Sequence, residues 1–189
     1  MGYNKSFSDT SLRIGEVRFS YVNVFTRKKN EDGSDGKYGV CLMIPKSDAA
    51  ALKLVKDAIE AAKNIGKTSK WGGKLPGRLS TPLRDGDEER PDDPNFAGMY
   101  FMNANSNHEV GVKVLENGAI EDALGSEDFY SGCWGVASLN FFAYDSNGNK
   151  GVGCGLNNVI KTRDDERLGG GRSADQDFGD LAGFDPLDL

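Results

Sequence analysis

Two strongly patterned blocks, Trp134 to Tyr144 and Lys150 to Ile160, flank Asp145-Ser146-Asn147-Gly148-Asn149, and this pairing constrains the fold more than any other feature. Asn-Gly accepts left-handed backbone at both central positions of a tight turn, the geometry that matches the twist of two antiparallel strands. A long antiparallel hairpin is expected, and with it a sheet-based fold. The 25 glycines among 189 residues point the same way, toward short strands and turns.

The rest of the chain supplies partners for that hairpin. Leu12, Ile14, Val17, Phe19, Tyr21, Val22, Val24 and Phe25 mostly alternate with polar residues, with a change of phase near Tyr21-Val22, which predicts one long, bent or bulged strand. A polar, turn-rich stretch from Arg27 to Lys37 leads into the apolar run Tyr38 to Ile44, read as the loop and the antiparallel return strand. After Pro45, with Ser47 able to cap, Leu52, Val55, Ile59 and Ala62 recur at helical spacing until Gly66. Glycines, prolines and charges between Gly66 and Pro94 predict a long irregular loop, followed by short strands near Gly98 to Ala104 and Val110 to Leu115. Five or six antiparallel strands with one inserted helix favour a mainly β fold, a small barrel of the OB type, over a sandwich.

At 189 residues the chain suits one domain and a tail, here divided at 1–168 and 169–189 by the hinge Gly169-Gly170-Gly171. No stretch approaches the roughly 20 apolar residues of a membrane span, so no membrane partner is expected. Cys41, Cys133 and Cys154 are odd in number and far apart, which argues for buried thiols in a reducing compartment and against a disulfide framework or a zinc site.

The acidic tail is the other outlying feature. Ala174 to Leu189 holds five aspartates, Asp175, Asp177, Asp180, Asp185 and Asp188, with Phe178 and Phe184 and no cation. Removing those five from the 29 acidic residues leaves 24 against 23 Lys+Arg, so nearly all the net charge lies there. Such a segment buries too little apolar surface to offset its ordering entropy, and a disordered tail is expected until a partner organises it. Asp177, Phe178, Asp180, Phe184, Asp185 and Asp188 are the candidate partner-binding residues. Sixteen flexible residues reach on the order of 20–25 Å, enough for the tail to visit a groove on its own body.

Candidate binding residues in the body are basic. Lys63, Lys67, Lys70, Lys74, Arg78 and Arg84 lie between Ala61 and Arg84 without one acid, and Trp71 sits among them. Cations that track a backbone beside an aromatic that stacks under any base suit sequence-tolerant binding of a single strand. Lys67, Lys70, Lys74 and Arg78 are thus assigned to the strand path, with Trp71 or Tyr100 stacking. Arg27, Lys28 and Lys29 form a second basic knot, and Lys150 adds a cation beside the hairpin turn. The alternative for Trp71 is a place in the core.

Catalytic chemistry finds little material. Gly66-Lys67-Thr68-Ser69 lacks the glycine five positions earlier that a P-loop needs, because Ala61 is there, and it follows a helix instead of a strand. His108 is the sole histidine. Asp85, Asp87, Glu88, Glu89, Asp92 and Asp93 match no EF-hand spacing. No enzyme, cofactor or metal is expected, and a metal-dependent nuclease built on those carboxylates is the least favoured alternative.

Phe129-Tyr130-Ser131-Gly132-Cys133-Trp134-Gly135, then Asn140-Phe141-Phe142-Ala143-Tyr144, then Lys150 to Val159 with its glycine-rich pattern, resemble the bacteriophage-encoded single-stranded DNA-binding proteins with an OB-type barrel. Met43-Ile44-Pro45-Lys46 and the passage from Leu168-Gly169-Gly170 into the acidic aromatic tail resemble them too. The resemblance implies binding of single-stranded DNA in phage DNA replication or recombination, in the cytoplasm of an infected bacterial host. It also implies recruitment of a phage or host DNA polymerase or helicase through the tail, and it carries over no fixed set of DNA-holding side chains. A protein-interaction adaptor with the barrel as scaffold is the competing class, and whether the chain forms a homodimer is left open.

Overall fold

The computed structural model describes residues 2–169 and 177–182. Nine strands share one sheet: β1 Lys5–Ser6, β2 Ser11–Asn23, β3 Tyr38–Pro45, β4 Arg84–Asp85, β5 Met99–Ser106, β6 Gly111–Glu116, β7 Ala119–Asp122, β8 Trp134–Ser146 and β9 Asn149–Arg163. Pairings run β5-β3-β2-β8-β9, and a parallel contact of β5 with β9 at Asn105 and Gly155 returns the path to its start. Five strands thereby form a closed cycle in which every other pairing is antiparallel. Closure leaves only β1, β4 and the β6-β7 hairpin outside the ring.

Sequence periodicity accounts for these elements. β8 and β9 pair from Trp134 with Arg163 to Ser146 with Asn149, and Asn147 and Gly148 make the turn with φ of 51° and 81°. β2 bends where expected: its register against β3 shifts between Ser20 and Asn23, around the change of phase at Tyr21. Inward positions of alternating strands, among them Leu12, Ile14, Val40, Leu42, Met102, Ala104, Leu139 and Phe141, fill the interior.

The helix α1, Ala49–Ser69, buries Ala51, Leu52, Val55, Ala58, Ile59, Ala62 and Gly66 and packs chiefly on β8 and β2. Two details correct the sequence reading. Asp48, not Ser47, caps it, with Oδ1 accepting from the Ala51 amide at 3.1 Å. Gly66 does not end it; a Cβ there would lie 2.4 Å from Cβ of Ala143, so glycine permits the close approach of helix and barrel and the helix runs one turn further.

Trp71 follows directly and is a third correction. It is 7% exposed, belongs to the main core, and its Nε1 donates to the Tyr144 carbonyl at 3.2 Å. The loop from Gly66 to Pro94 also holds more structure than its composition suggested: β4 is followed by a short helix α2, Gly86–Glu89, and a 3₁₀ turn at Pro94–Phe96. β7, all of whose residues are exposed, has no strong alternation and was not anticipated.

All three cysteines are free and buried. Among the described residues no helix is long and apolar enough to cross a membrane.

Candidate nucleic-acid interface

The outer face of β3 and β5 is covered at one end and open at the other. Phe96, from the 3₁₀ turn, lies edge-on to Phe101 at 5.1 Å and joins Cys41, Met43 and Phe101 in a small second core. Beyond it, Gly39 and Cys41 of β3 and Asn103 and Asn105 of β5 floor a concavity of about 530 Å³. Alternation decides this arrangement: Met102 and Ala104 point into the barrel, which sends Asn103 and Asn105 outward.

Among the described residues three cations and no carboxylate line the concavity. Lys28 and Lys37 come from the loop between β2 and β3, held at its base by the Lys28 amide on the Lys37 carbonyl at 3.0 Å and the Gly36 amide on the Lys28 carbonyl at 2.7 Å. Arg90 follows α2, its guanidinium 5.6 Å from the ring centres of both Phe96 and Phe101. Cys41 lies in the floor, and burial pushes its thiol up to about 12 against the pull of Arg90 and Arg84. It is an unreactive wall.

Tyr21 and Asn23 form the rim. Tyr21 is 58% exposed and holds φ of 47°, a left-handed conformation uncommon for an aromatic residue, at the register shift of β2. Tyr21 also lines a second hollow of about 410 Å³, with Asp93, Asn95, Phe96, Ser131, Leu168 and Gly169. Tyr21 therefore borders two depressions. Nothing in the alternation of β2 marks Tyr21 as a surface residue; the change of phase beside it is the one signal.

The candidate residues named from sequence separate into several places. Of the basic knot, Lys28 faces the concavity. Arg27 is committed to structure, its guanidinium 4.9 Å over the Tyr38 ring with a hydrogen bond to the Gly36 carbonyl at 3.1 Å. Lys29 pairs with Asp35, and that hydrogen bond and charge hold the Asp35 carboxyl below its ordinary range. Lys67 and Lys70 are exposed at the end of α1, and Lys74 and Arg78 are exposed beyond it. Lys150 is half-buried, 3.7 Å from Asp145, and its carbonyl accepts from the Ser80 amide at 3.0 Å. Tyr100 is half-buried on the helix side of β5. With its ring inside the core, Trp71 offers no face to a base. Lys37, Arg90, Asn103, Asn105 and Tyr21 are the lining residues that sequence reasoning missed.

The acidic cluster is occupied internally. Lys46 Nζ lies 2.7 Å from Asp85 and 2.8 Å from Asp87, and its hydrogen bonds hold both carboxyls below their ordinary range. Glu89 pairs with Arg84, while Asp85 and Asp93 accept from backbone amides at 2.9 and 3.0 Å. Among the described residues no group of acids, cysteines or histidine is placed to hold a metal ion.

The chain leaves this face in a fixed direction. Trp134 Nε1 donates to Asp165 at 2.8 Å, Arg18 donates to the carbonyls of Gly132 and Glu166 at 3.0 and 2.9 Å, and the Leu168 amide donates to Ser131 at 2.9 Å. Tyr130 donates to Asp164 at 2.6 Å; burial first, then that hydrogen bond, push its hydroxyl up to about 12. Of the tail, Phe178 and Leu181 are exposed around a short 3₁₀ turn, Gly179–Leu181. Phe184, Asp185 and Asp188 lie outside the described residues.

A family model for the ssDNA-binding protein of Enterobacter phage Enc34 matches residues 10–186. The chain is 31% identical over 183 residues to putative protein p50 of Acyrthosiphon pisum secondary endosymbiont phage 1, covering 90% of this chain and 94% of that one. Among solved structures it is similar to the single-stranded DNA-binding protein of bacteriophage Enc34 in complex with ssDNA, with a TM-score of 0.76 and 26% identity over 89% of this chain and 95% of that one. It also shares its fold with gp2.5, a single-stranded DNA-binding protein of bacteriophage T7, at a TM-score of 0.54 and 15% identity over 94% of each chain.

Proposed function

We propose, for a chain that belongs to the Enterobacter phage Enc34 ssDNA-binding protein family, that single-stranded DNA lies in the concavity over β3 and β5, with phosphates against Lys28, Lys37 and Arg90 and a base stacked on Tyr21. The observation that carries this reading is a concave sheet face lined, among the described residues, by three cations, two outward asparagines and an exposed aromatic, with no carboxylate. In OB folds the face of the second and third strands and the loop between the first and second take oligonucleotides. Here those elements are β3, β5 and the loop carrying Lys28 and Lys37. Binding without catalysis agrees with a family of DNA-binding proteins and with carboxylates already engaged by Lys46 and Arg84.

The finer role is phage DNA replication or recombination, with residues 1–168 as the binding body and 169–189 as an acidic tail that recruits a DNA polymerase or helicase. Support comes from the tail's composition and from the place where the body ends: Leu168 and Gly169 line a hollow that Tyr21 also lines. Titration of fluorescent oligonucleotides, single against double stranded at two salt concentrations, tests the reading. Single strands are expected to bind more tightly, and three phosphates neutralised in the groove contribute about −2.1 to the logarithmic salt slope. Equal affinity for duplex overturns it.

A further inference from the structure

We propose that the exposed flank of α1 is a second surface for single-stranded nucleic acid, holding a further segment of strand outside the groove. The proposal rests on the reading of the chain as a single-strand binder and goes beyond its groove. All four lysines of the helix, Lys53, Lys56, Lys63 and Lys67, and the capping Lys70 follow spacings of three, four and seven, with Glu60 in the one gap. Residues three and four apart share a helix face, so these five ammoniums form one stripe about 25 Å long beside the buried face. The other flank, through Leu54, Ala61, Asn64, Ile65 and Thr68, carries no cation. Lysines that served solubility alone would have no reason to avoid it.

Two further observations point to a ligand. Among the described residues Lys56, Lys67 and Lys70 have no carboxylate partner, so their charge is available to an anion. At the head of the stripe Tyr100 sits in a shallow hollow of about 430 Å³, its ring 5.2 Å from Lys46 and 5.5 Å from Lys56. An aromatic beside a row of cations is the combination that binds single strands without sequence preference. The stripe and the groove share no lining residue, and Lys46, the cation beside Tyr100 nearest the acidic segment, is engaged by Asp85 and Asp87. At the duplex rise of about 3.4 Å the stripe faces no more than about seven phosphates.

The test uses the full chain with Lys53, Lys56, Lys67 and Lys70 all replaced by glutamine, and oligothymidines of about eight and about thirty nucleotides, the shorter within the site of one OB fold. All four side chains are exposed, and an unchanged thermal midpoint confirms the fold. The variant is expected to match the parent within about twofold on the short strand and to bind the long strand less tightly. Its long-strand salt slope should be shallower by about 2.1, for the three lysines whose charge is available, equivalent to about eighteen-fold over a fourfold change in salt. Tyr21→Ala should weaken both lengths, which separates failure of the groove from failure of the flank. An equal loss on both lengths, an unchanged long-strand affinity, or tighter binding by the variant overturns the proposal.

Discussion

Tyr21 holds a left-handed backbone conformation with its ring more than half exposed, two features that work against stability and are together consistent with a recognition role. Tyr21→Ala should weaken single-strand binding about five- to 150-fold, the range for one stacked base, while the body stays folded. Tyr21→Gly separates the two effects: glycine adopts positive φ freely, so this variant should lose the same affinity yet melt above the alanine variant, by about 1 kcal/mol. Oligonucleotide titration and thermal melts of the three proteins check both. Trp71 behaves oppositely. With its ring buried and Nε1 bonded to Tyr144, Trp71→Ala should cost about 3–5 kcal/mol of stability, and the fraction that remains folded should bind DNA as the parent does. A denaturant melt with a binding curve on the folded fraction distinguishes this from a stacking role.

Among the elements, the segment from β4 through α2 to the turn at Phe96 decides where the groove ends. It is tied down by Lys46 on Asp85 and Asp87, by the Gly98 amide on Asp87 at 3.0 Å, and by Phe96 against Phe101, and it carries Arg90 to the floor. Asp87→Asn removes a negative charge near the groove and by long-range electrostatics alone would strengthen DNA binding. The tie predicts the reverse: a loosened segment and a misplaced Arg90 should weaken binding severalfold. The same tie sets a pH dependence. Asp85 and Asp87 titrate lower in the folded protein than in the unfolded chain, where they take the ordinary value of about 3.9, so the unfolded chain binds more protons in acid. Their stabilising contribution is present in full above that value and is lost as pH falls below about 4. Protection of the Gly98 amide from hydrogen exchange should fall in that range and should fall at neutral pH in Lys46→Gln.

At the scale of the whole molecule, charge is distributed unevenly. The residues before Ala174 are within one charge of neutral, while the five aspartates after it account for most of the net charge of −6. Deleting Ala174 to Leu189 is therefore expected to leave a folded barrel that binds single strands more tightly, most at low salt, because the tail aspartates would compete with phosphates and that competition is screened beyond about 8–10 Å at physiological ionic strength. The same deletion should abolish capture of the DNA polymerase or helicase proposed as the tail's partner. Replacing only Phe178 and Phe184 by alanine should lose the partner and keep most of the self-screening. Titration at two salt concentrations and a pull-down with each variant read the two effects apart.

Local pattern by itself determined the long hairpin, the bend of β2, the return strand β3 and the helix, because each is written in residues close in sequence: Asn147-Gly148 at a turn, alternation along Leu12 to Phe19, and apolar positions three and four apart from Leu52 to Ala62. It also separated an acidic tail from a balanced body. Which side chains meet was settled only in three dimensions. Trp71 lies among lysines along the chain, but it folds under Tyr144 because Gly66 lets the helix close on the barrel. Lys28 and Arg90 are sixty-two positions apart and share one groove because β3 pairs with β5 and the acidic segment folds back over that pair. Composition marks cations; only the strand order and the direction each side chain takes from the pleat decide which of them line the same groove.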